Sequence, residues 1–125
     1  MQIKMDKPKD IFKAPYTTDG IYIYDSNNQM CLMVGDCDNY PEEMMTRICE
    51  ILNRTQPSNG NPGVSCYGPN IYLNENLLLV VRGWGYLTGT GGLHLDVEEA
   101  SKIQDDFAQF VVSCLRGEQP NNLPQ

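Results

Sequence analysis

The segment that decides the fold is Ile71-Tyr72-Leu73-Asn74-Glu75-Asn76-Leu77-Leu78-Leu79-Val80-Val81. Two runs of strand-forming residues flank a polar Asn-Glu-Asn connection, which is the pattern of a β-hairpin. The second run, residues 77–81, is apolar at every position and has no polar face to turn toward solvent. A strand of this kind needs cover on both faces. The sequence therefore places it at the centre of a sheet, beneath helices or another layer.

An earlier hairpin is predicted from residues 21–24 and 30–34, because the turn between them is rich in Asp and Asn, which tolerate left-handed backbone angles. A helix is predicted after each hairpin, over residues 41–52 and 97–116. Asp96 and Glu99 form a capping-box pattern before the second helix, and Gly117 stands at its end. The order ββαββα predicts an α+β fold with a four-stranded antiparallel sheet and two helices on one face.

The chain of 125 residues is long enough for one domain. We expect an irregular N-terminal arm over residues 1–20, a single α+β domain over 21–117 and a flexible tail over 118–125. Within the domain, residues 53–69 contain many Pro and Gly residues and are predicted to form a long loop.

The formal net charge of −7 disfavours nucleic-acid binding by direct basic contact, because an acidic surface repels phosphates. The charge is read as a solubility feature, or alternatively as mimicry of a nucleic acid that blocks a host protein. No apolar run is long enough to span a bilayer, and the N-terminus lacks the pattern of a signal peptide. We therefore expect a soluble cytoplasmic protein without membrane contact.

Five cysteines form an odd set without a Cys-x-x-Cys pair, so no zinc site is predicted. Cys31, Cys49 and Cys114 lie in predicted apolar strand or helix faces and are expected to pack as small hydrophobic residues. Cys37 and Cys66 lie among polar loop residues and are the two expected to be accessible or bridged. No metal or other cofactor is expected.

The glycine-rich stretch 82–94 holds the only Trp, the only His and five of the eleven Gly residues. It lacks the spacing of a phosphate-binding loop, and the acidic start of the next helix occupies the place of an anion. If the strand continues, Arg82, Trp84 and Tyr86 share one face. These residue types are common at interface hot spots, so the three are the predicted partner-binding residues. The alternative is that Trp84 belongs to the core.

Other chemistry is less well supported by the sequence. Thr88, Thr90 and His94 are the possible ligand-contacting residues of a pocket formed by the Gly85–His94 loop. Cys66, His94 and Asp96 would supply the groups of a nucleophilic triad only if the fold brought them together. An acidic group could hold a hard cation but is better explained as a solvated loop and helix start; it comprises Asp36, Asp38, Glu42 and Glu43. No catalytic residue is predicted.

The pattern Ile21-Tyr22-Ile23-Tyr24-Asp25-Ser26-Asn27-Asn28-Gln29-Met30, followed by a helix ending Ile51-Leu52-Asn53, resembles the start of many small phage and prophage proteins. The resemblance covers residues 21–53. It implies an intracellular accessory protein that acts by binding host or phage proteins, and it carries over no catalytic residue.

The sequence thus predicts a noncatalytic protein that binds a protein partner or another copy of itself through Arg82, Trp84 and Tyr86. The alternative function is a small-ligand-binding protein or enzyme with its pocket at Thr88, Thr90 and His94.

Overall fold

A computed structural model describes residues 11–35, 42–54 and 60–118 of the protein. The described residues form six strands and three helices in an α+β arrangement. The strands are β1 (Thr17–Thr18), β2 (Tyr22–Tyr24), β3 (Met30–Val34), β4 (Val64–Tyr67), β5 (Asn70–Leu73) and β6 (Asn76–Val81). The helices are α1 (Glu42–Leu52), α2 (Trp84–Thr88) and α3 (Val97–Leu115).

The strands form one antiparallel sheet in the order β1-β2-β3-β6-β5-β4. The predicted four-stranded sheet with two helices is therefore wrong, although the α+β class is right. The additional strands β1 and β4 form the two edges, and α2 is the additional helix. Strand β4 lies inside the predicted loop 53–69, where Gly68 and Pro69 make the tight turn to β5. Val64 and Tyr67 of this strand are strand formers, but the Gly and Pro residues on either side of it favour a loop.

The strand order and pairing register of the sheet are symmetric about the Met33–Val80 pair, where β3 meets β6. Ile23 and Tyr24 of β2 pair with Leu32 and Met30, which leaves Cys31 as an extra, bulged residue. In the same way, β5 skips one residue of β6: Ile71 and Tyr72 pair with Leu79 and Leu77. Each half is therefore a three-stranded meander with one bulge, followed by helical structure.

The core lies between one face of this sheet and the helices α1 and α3. At each bulge two consecutive side chains are buried, namely Cys31 with Leu32 and Leu78 with Leu79. The bulges thus place extra apolar surface under the helices at the sheet centre, where its burial stabilises the fold most directly.

Three residues of the segment predicted as an N-terminal arm belong to the core. Ile11, Phe12 and Tyr16 are each no more than 2% exposed. The Phe12 and Phe107 rings lie 5.2 Å apart, and the Tyr16 hydroxyl donates to the Phe12 carbonyl oxygen at 2.7 Å. This segment therefore covers the middle of α3.

Both hairpins and both long helices predicted from the sequence are confirmed, and none of their boundaries shifts by more than one residue. The Asp96 carboxylate accepts a hydrogen bond from the Glu99 N–H at 2.8 Å, as expected of an N-cap. At the other end of α3, Gly117 has φ 79° and its N–H donates to the Cys114 carbonyl oxygen. The Glu118 N–H donates to the Ser113 carbonyl oxygen, which completes a Schellman motif.

The opposite face of the sheet carries no charged side chain at its paired positions. Its central row runs across four strands as Tyr22, Met33, Val80 and Asn70. These side chains are half-buried, and Tyr67 at the β4 end is 82% exposed. We call this the open sheet face, since none of the described helices packs on it. Among the described residues, no helix is long and apolar enough to cross a membrane.

Candidate functional site

The predicted binding residues lie where β6 ends and α2 begins. Gly83 makes this turn with φ 98°, a backbone angle that favours glycine. A Cβ added at Gly83 would lie 2.7 Å from Cζ of the buried Phe12 ring, so the backbone of this turn passes directly over the core. The strand therefore stops at Val81, and a short helix follows from Trp84.

The expectation that Arg82, Trp84 and Tyr86 share one strand face is wrong, because Trp84–Thr88 is helical. Alternating residues of a helix point about 200° apart instead of in the same direction. The three residues nevertheless meet, since the backbone turns around a single cleft at this point.

We call this feature the Arg82 cleft. It has a volume of about 260 Å³ and lies between the start of β3, the β6–α2 turn and the middle of α3. Its lining residues are Gln29, Met30, Val81, Arg82, Gly83, Trp84, Gly85, Tyr86 and Gln104.

The exposure of the three predicted residues differs. Arg82 is exposed, and Trp84 is 41% exposed, so Trp84 is not a core residue. Tyr86 is half-buried and packs against the core. An exposed indole at a concave site is unusual for a residue that normally buries most of its surface.

Gln104 is a cleft residue that the sequence did not predict. It lies on the buried side of α3 and is only 7% exposed, yet it lines the cleft. Its Nε2 donates to the Arg82 carbonyl oxygen at 3.3 Å, and no acceptor bond to its Oε1 is found among the described residues. The signal was present in the sequence: Gln104 adjoins Ile103 in the apolar stripe of α3, where a polar residue needs a partner.

Arg82 has no carboxylate within ion-pair distance in the described part of the protein. The cleft lining contains no Asp or Glu, although acidic residues outnumber basic ones in the whole sequence by 16 to 9. The cleft lining thus carries one positive charge and no negative charge.

The glycines after α2 have a packing role. A Cβ added at Gly92 would overlap the Tyr86 carbonyl oxygen, and one at Gly89 would lie 2.5 Å from the Gly85 carbonyl oxygen. The loop folds back on α2, where the Leu93 N–H donates to the Tyr86 carbonyl oxygen at 2.9 Å. By contrast, Gly85 and Gly91 have open space where a Cβ would stand.

The structure does not place the predicted ligand-contacting residues in the Arg82 cleft. The Thr88 hydroxyl donates to the Trp84 carbonyl oxygen at 2.8 Å, one turn earlier in its own helix. Thr90 and His94 are exposed on the loop that follows, and His94 has φ 55°. A ligand-contacting role for these three residues stays a prediction.

The groups considered for nucleophilic catalysis are poorly suited to it. Burial raises the pKa of the Cys66 thiol, and the nearby Asp105 carboxylate raises it further. Because the thiolate is the reactive form, a raised pKa opposes nucleophilic chemistry. The Asp96 carboxylate is already engaged as the helix cap.

Three of the other cysteines pack as expected. Cys31, Cys49 and Cys114 are buried free thiols, and burial raises the pKa of each. Cys37 lies outside the described residues, as do Asp36 and Asp38 of the acidic group. Within residues 11–35, 42–54 and 60–118, no group of three metal-ligating side chains is found.

Asp25 is a second buried polar residue, at the turn between β2 and β3. Its Oδ1 accepts from the backbone N–H groups of Asn27 and Gln29, at 2.9 and 2.8 Å, whereas Oδ2 is buried and has no hydrogen-bond partner among the described residues. Burial raises the pKa of this carboxyl group despite the two hydrogen bonds. These bonds hold the turn before Gln29, which lines the cleft.

No protein-family model, curated protein or solved structure matches the sequence. A functional assignment therefore depends on the chemistry of the Arg82 cleft.

Proposed function

We propose that this is a noncatalytic binding protein that engages a protein partner through the Arg82 cleft. The observation that carries the proposal is the meeting of Arg82, Trp84 and Tyr86 in one concave site, with Trp84 41% exposed. Arg, Trp and Tyr contribute most often to interface hot spots because they offer large contact areas with few rotamers to restrict.

The size of the cleft supports a side chain as the bound group. At about 260 Å³ it is smaller than most pockets that enclose a cofactor or drug-sized ligand, which are roughly 300–1,000 Å³. A group projecting from a larger partner needs only this space, because the rest of the partner lies on the surrounding surface. The implied phage or prophage origin would agree with such a role and stays a prediction.

Gly85 and Gly91 offer a matched test. Both glycines are exposed, and neither has an atom within 4 Å of an added Cβ, but only Gly85 lines the cleft. A photo-reactive side chain at position 85 should cross-link a partner in native-host cells, whereas one at position 91 should give much less of that product. The mass of the product distinguishes a different protein from a second copy of this one.

Affinity for the captured partner is then measured with variants of unchanged thermal stability. Trp84→Ala and Arg82→Ala should each weaken binding by roughly 30-fold, as expected for hot-spot residues worth about 2 kcal/mol. Gly85→Gln should weaken it by filling the cleft, and Gly91→Gln should not. Equal affinities for all four variants would exclude the cleft as the binding site.

A further inference from the structure

The one charged side chain that lines the Arg82 cleft is a hydrogen-bond donor. Arg82 has five guanidinium N–H donors and no acceptor, and the Trp84 indole only donates. The Gln29 and Gln104 amides each add an NH₂ group and an acceptor oxygen, and Gln104 uses one NH₂ hydrogen on the Arg82 carbonyl oxygen. No Asp or Glu side chain lines the cleft. A complementary ligand therefore supplies acceptors and negative charge.

The remaining lining favours an anion carried on an apolar stem. Met30, Val81 and the Trp84 ring give the cleft an apolar part beside the donors. Gln104 places an amide at its base and is only 7% exposed, so a bound anion would meet a donor that water reaches poorly. Hydrogen bonds to charged groups are strongest where water is excluded.

The charge of the whole protein distinguishes a carboxylate from a phosphate. The net charge of −7 opposes any anion, and it opposes a dianion about twice as strongly as a monoanion. A planar carboxylate also matches the guanidinium fork in a bidentate pair.

Resting on the proposed function, we infer that the group recognised in the cleft is a carboxylate on a short apolar stem. Two parts of a protein partner present this chemistry: an Asp or Glu side chain, and the carboxyl terminus of a polypeptide. Arg82 pairs with the carboxylate, Gln104 donates to it from the base of the cleft, and the Trp84 ring covers its stem.

The inference is tested with small probes, independently of any partner. Trp84 is the only Trp, so its indole N–H gives a single resonance in a spectrum of isotope-labelled protein. The Gln104 side-chain amide reports the base of the cleft. The side-chain probe is N-acetylglutamate α-amide, compared with N-acetylglutamine α-amide; the C-terminal probe is N-acetylalanine, compared with its amide. Inorganic phosphate is titrated as a further anion.

We expect at least one carboxylate probe to shift both resonances with a Kd in the millimolar range, as befits a ligand of about ten heavy atoms. Its neutral amide should bind about tenfold more weakly. The stronger carboxylate probe identifies the source as an acidic side chain or a carboxyl terminus. Arg82→Gln should abolish the preference for the acid, whereas Arg82→Lys should keep part of it. Gly85→Gln should prevent the shifts, and Gly91→Gln should leave them unchanged.

Three results would overturn the inference: equal binding of acid and amide, tighter binding of phosphate than of either carboxylate, or no shift with any probe at about 100 mM. Each of them leaves the cross-linking test at Gly85 intact, because that test asks whether any partner occupies the cleft. Conversely, carboxylate binding without a cross-linked partner would contradict only the proposed function.

Discussion

Replacing Phe12 with Ala should destabilise the protein strongly, although Phe12 lies in a segment whose sequence looks irregular. The ring is fully buried, packs on Phe107 at 5.2 Å and lies against the Gly83 backbone. Truncation of a buried Phe to Ala typically costs about 3–5 kcal/mol, through lost burial and the cavity that remains. The upper half of this range applies here because Gly83 has no side chain with which to fill the space.

The expected change in melting temperature follows from the length of the protein. With an unfolding entropy of about 2.1 cal/mol/K per residue, 125 residues give roughly 0.26 kcal/mol/K. A loss of about 4 kcal/mol then lowers the melting temperature by roughly 15 °C. Urea unfolding followed by circular dichroism measures the free energy, and calorimetry measures the melting temperature.

A second readout links this segment to the cleft. The β6–α2 turn lies on Phe12, so Phe12→Ala should loosen α2 and make Trp84 more accessible to a fluorescence quencher. Lys13→Ala is the control, since Lys13 is the exposed neighbour in sequence. A loss below about 1 kcal/mol for Phe12→Ala, or an equal loss for Lys13→Ala, would refute the placement of this segment in the core.

Four further predictions concern individual residues. Gly83→Ala should lower the free energy of unfolding in urea by about 2–5 kcal/mol, because it adds left-handed backbone strain and a clash with Phe12. Gly85→Ala should leave that free energy unchanged or raise it. Equal losses for the two variants would contradict the different environments of the two glycines. Asp96→Ala should cost about 0.5–2 kcal/mol by removing the α3 cap, with Asp96→Ser recovering most of it; no recovery would argue against capping. Asp25→Asn should gain stability relative to the natural protein as pH rises above about 4. Burial raises the folded-state pKa of Asp25, so the natural protein loses stability as that carboxyl ionises. Asp19→Asn should show the opposite dependence of stability on pH, because backbone and Tyr24 hydrogen bonds lower the pKa of Asp19. The contribution of Asp19 to stability is present above its unfolded-state pKa and is lost as pH falls. Parallel stability profiles for the two variants would contradict both assignments.

The sequence predicted the elements that carry strong local signals. The Asp25–Gln29 turn, the apolar run 77–81 and the capped stripe of α3 each form the expected structure. Strand β1 was missed because it has only two residues, and β4 because Gly and Pro surround it. Such short strands form because they pair with a neighbouring strand, so the local sequence around them carries little signal for a strand.

The three predicted binding residues line one cleft in the structure, but the sequence predicted the wrong backbone geometry for them. The alternation of Arg82, Trp84 and Tyr86 favoured a strand. The helix that forms instead has only five residues, one of them Gly, which is too short to show a helical repeat of apolar residues in the sequence. Gln104 was missed because its role depends on the Arg82 carbonyl oxygen, 22 residues away in the sequence. Only tertiary packing brings these groups together.

Because its strand pairing is symmetric about the Met33–Val80 pair, the sheet resembles that of a dimer whose two subunits have been joined into one polypeptide. In a true homodimer of this design, every change would appear twice and both copies of a site would have to evolve together. Joined halves can change separately. The connection from β3 to α1 spans residues 35–41, whereas the one from β6 to α3 spans residues 82–96 and is about twice as long. The longer connection holds α2 and most of the cleft, so the site lies where the two halves differ.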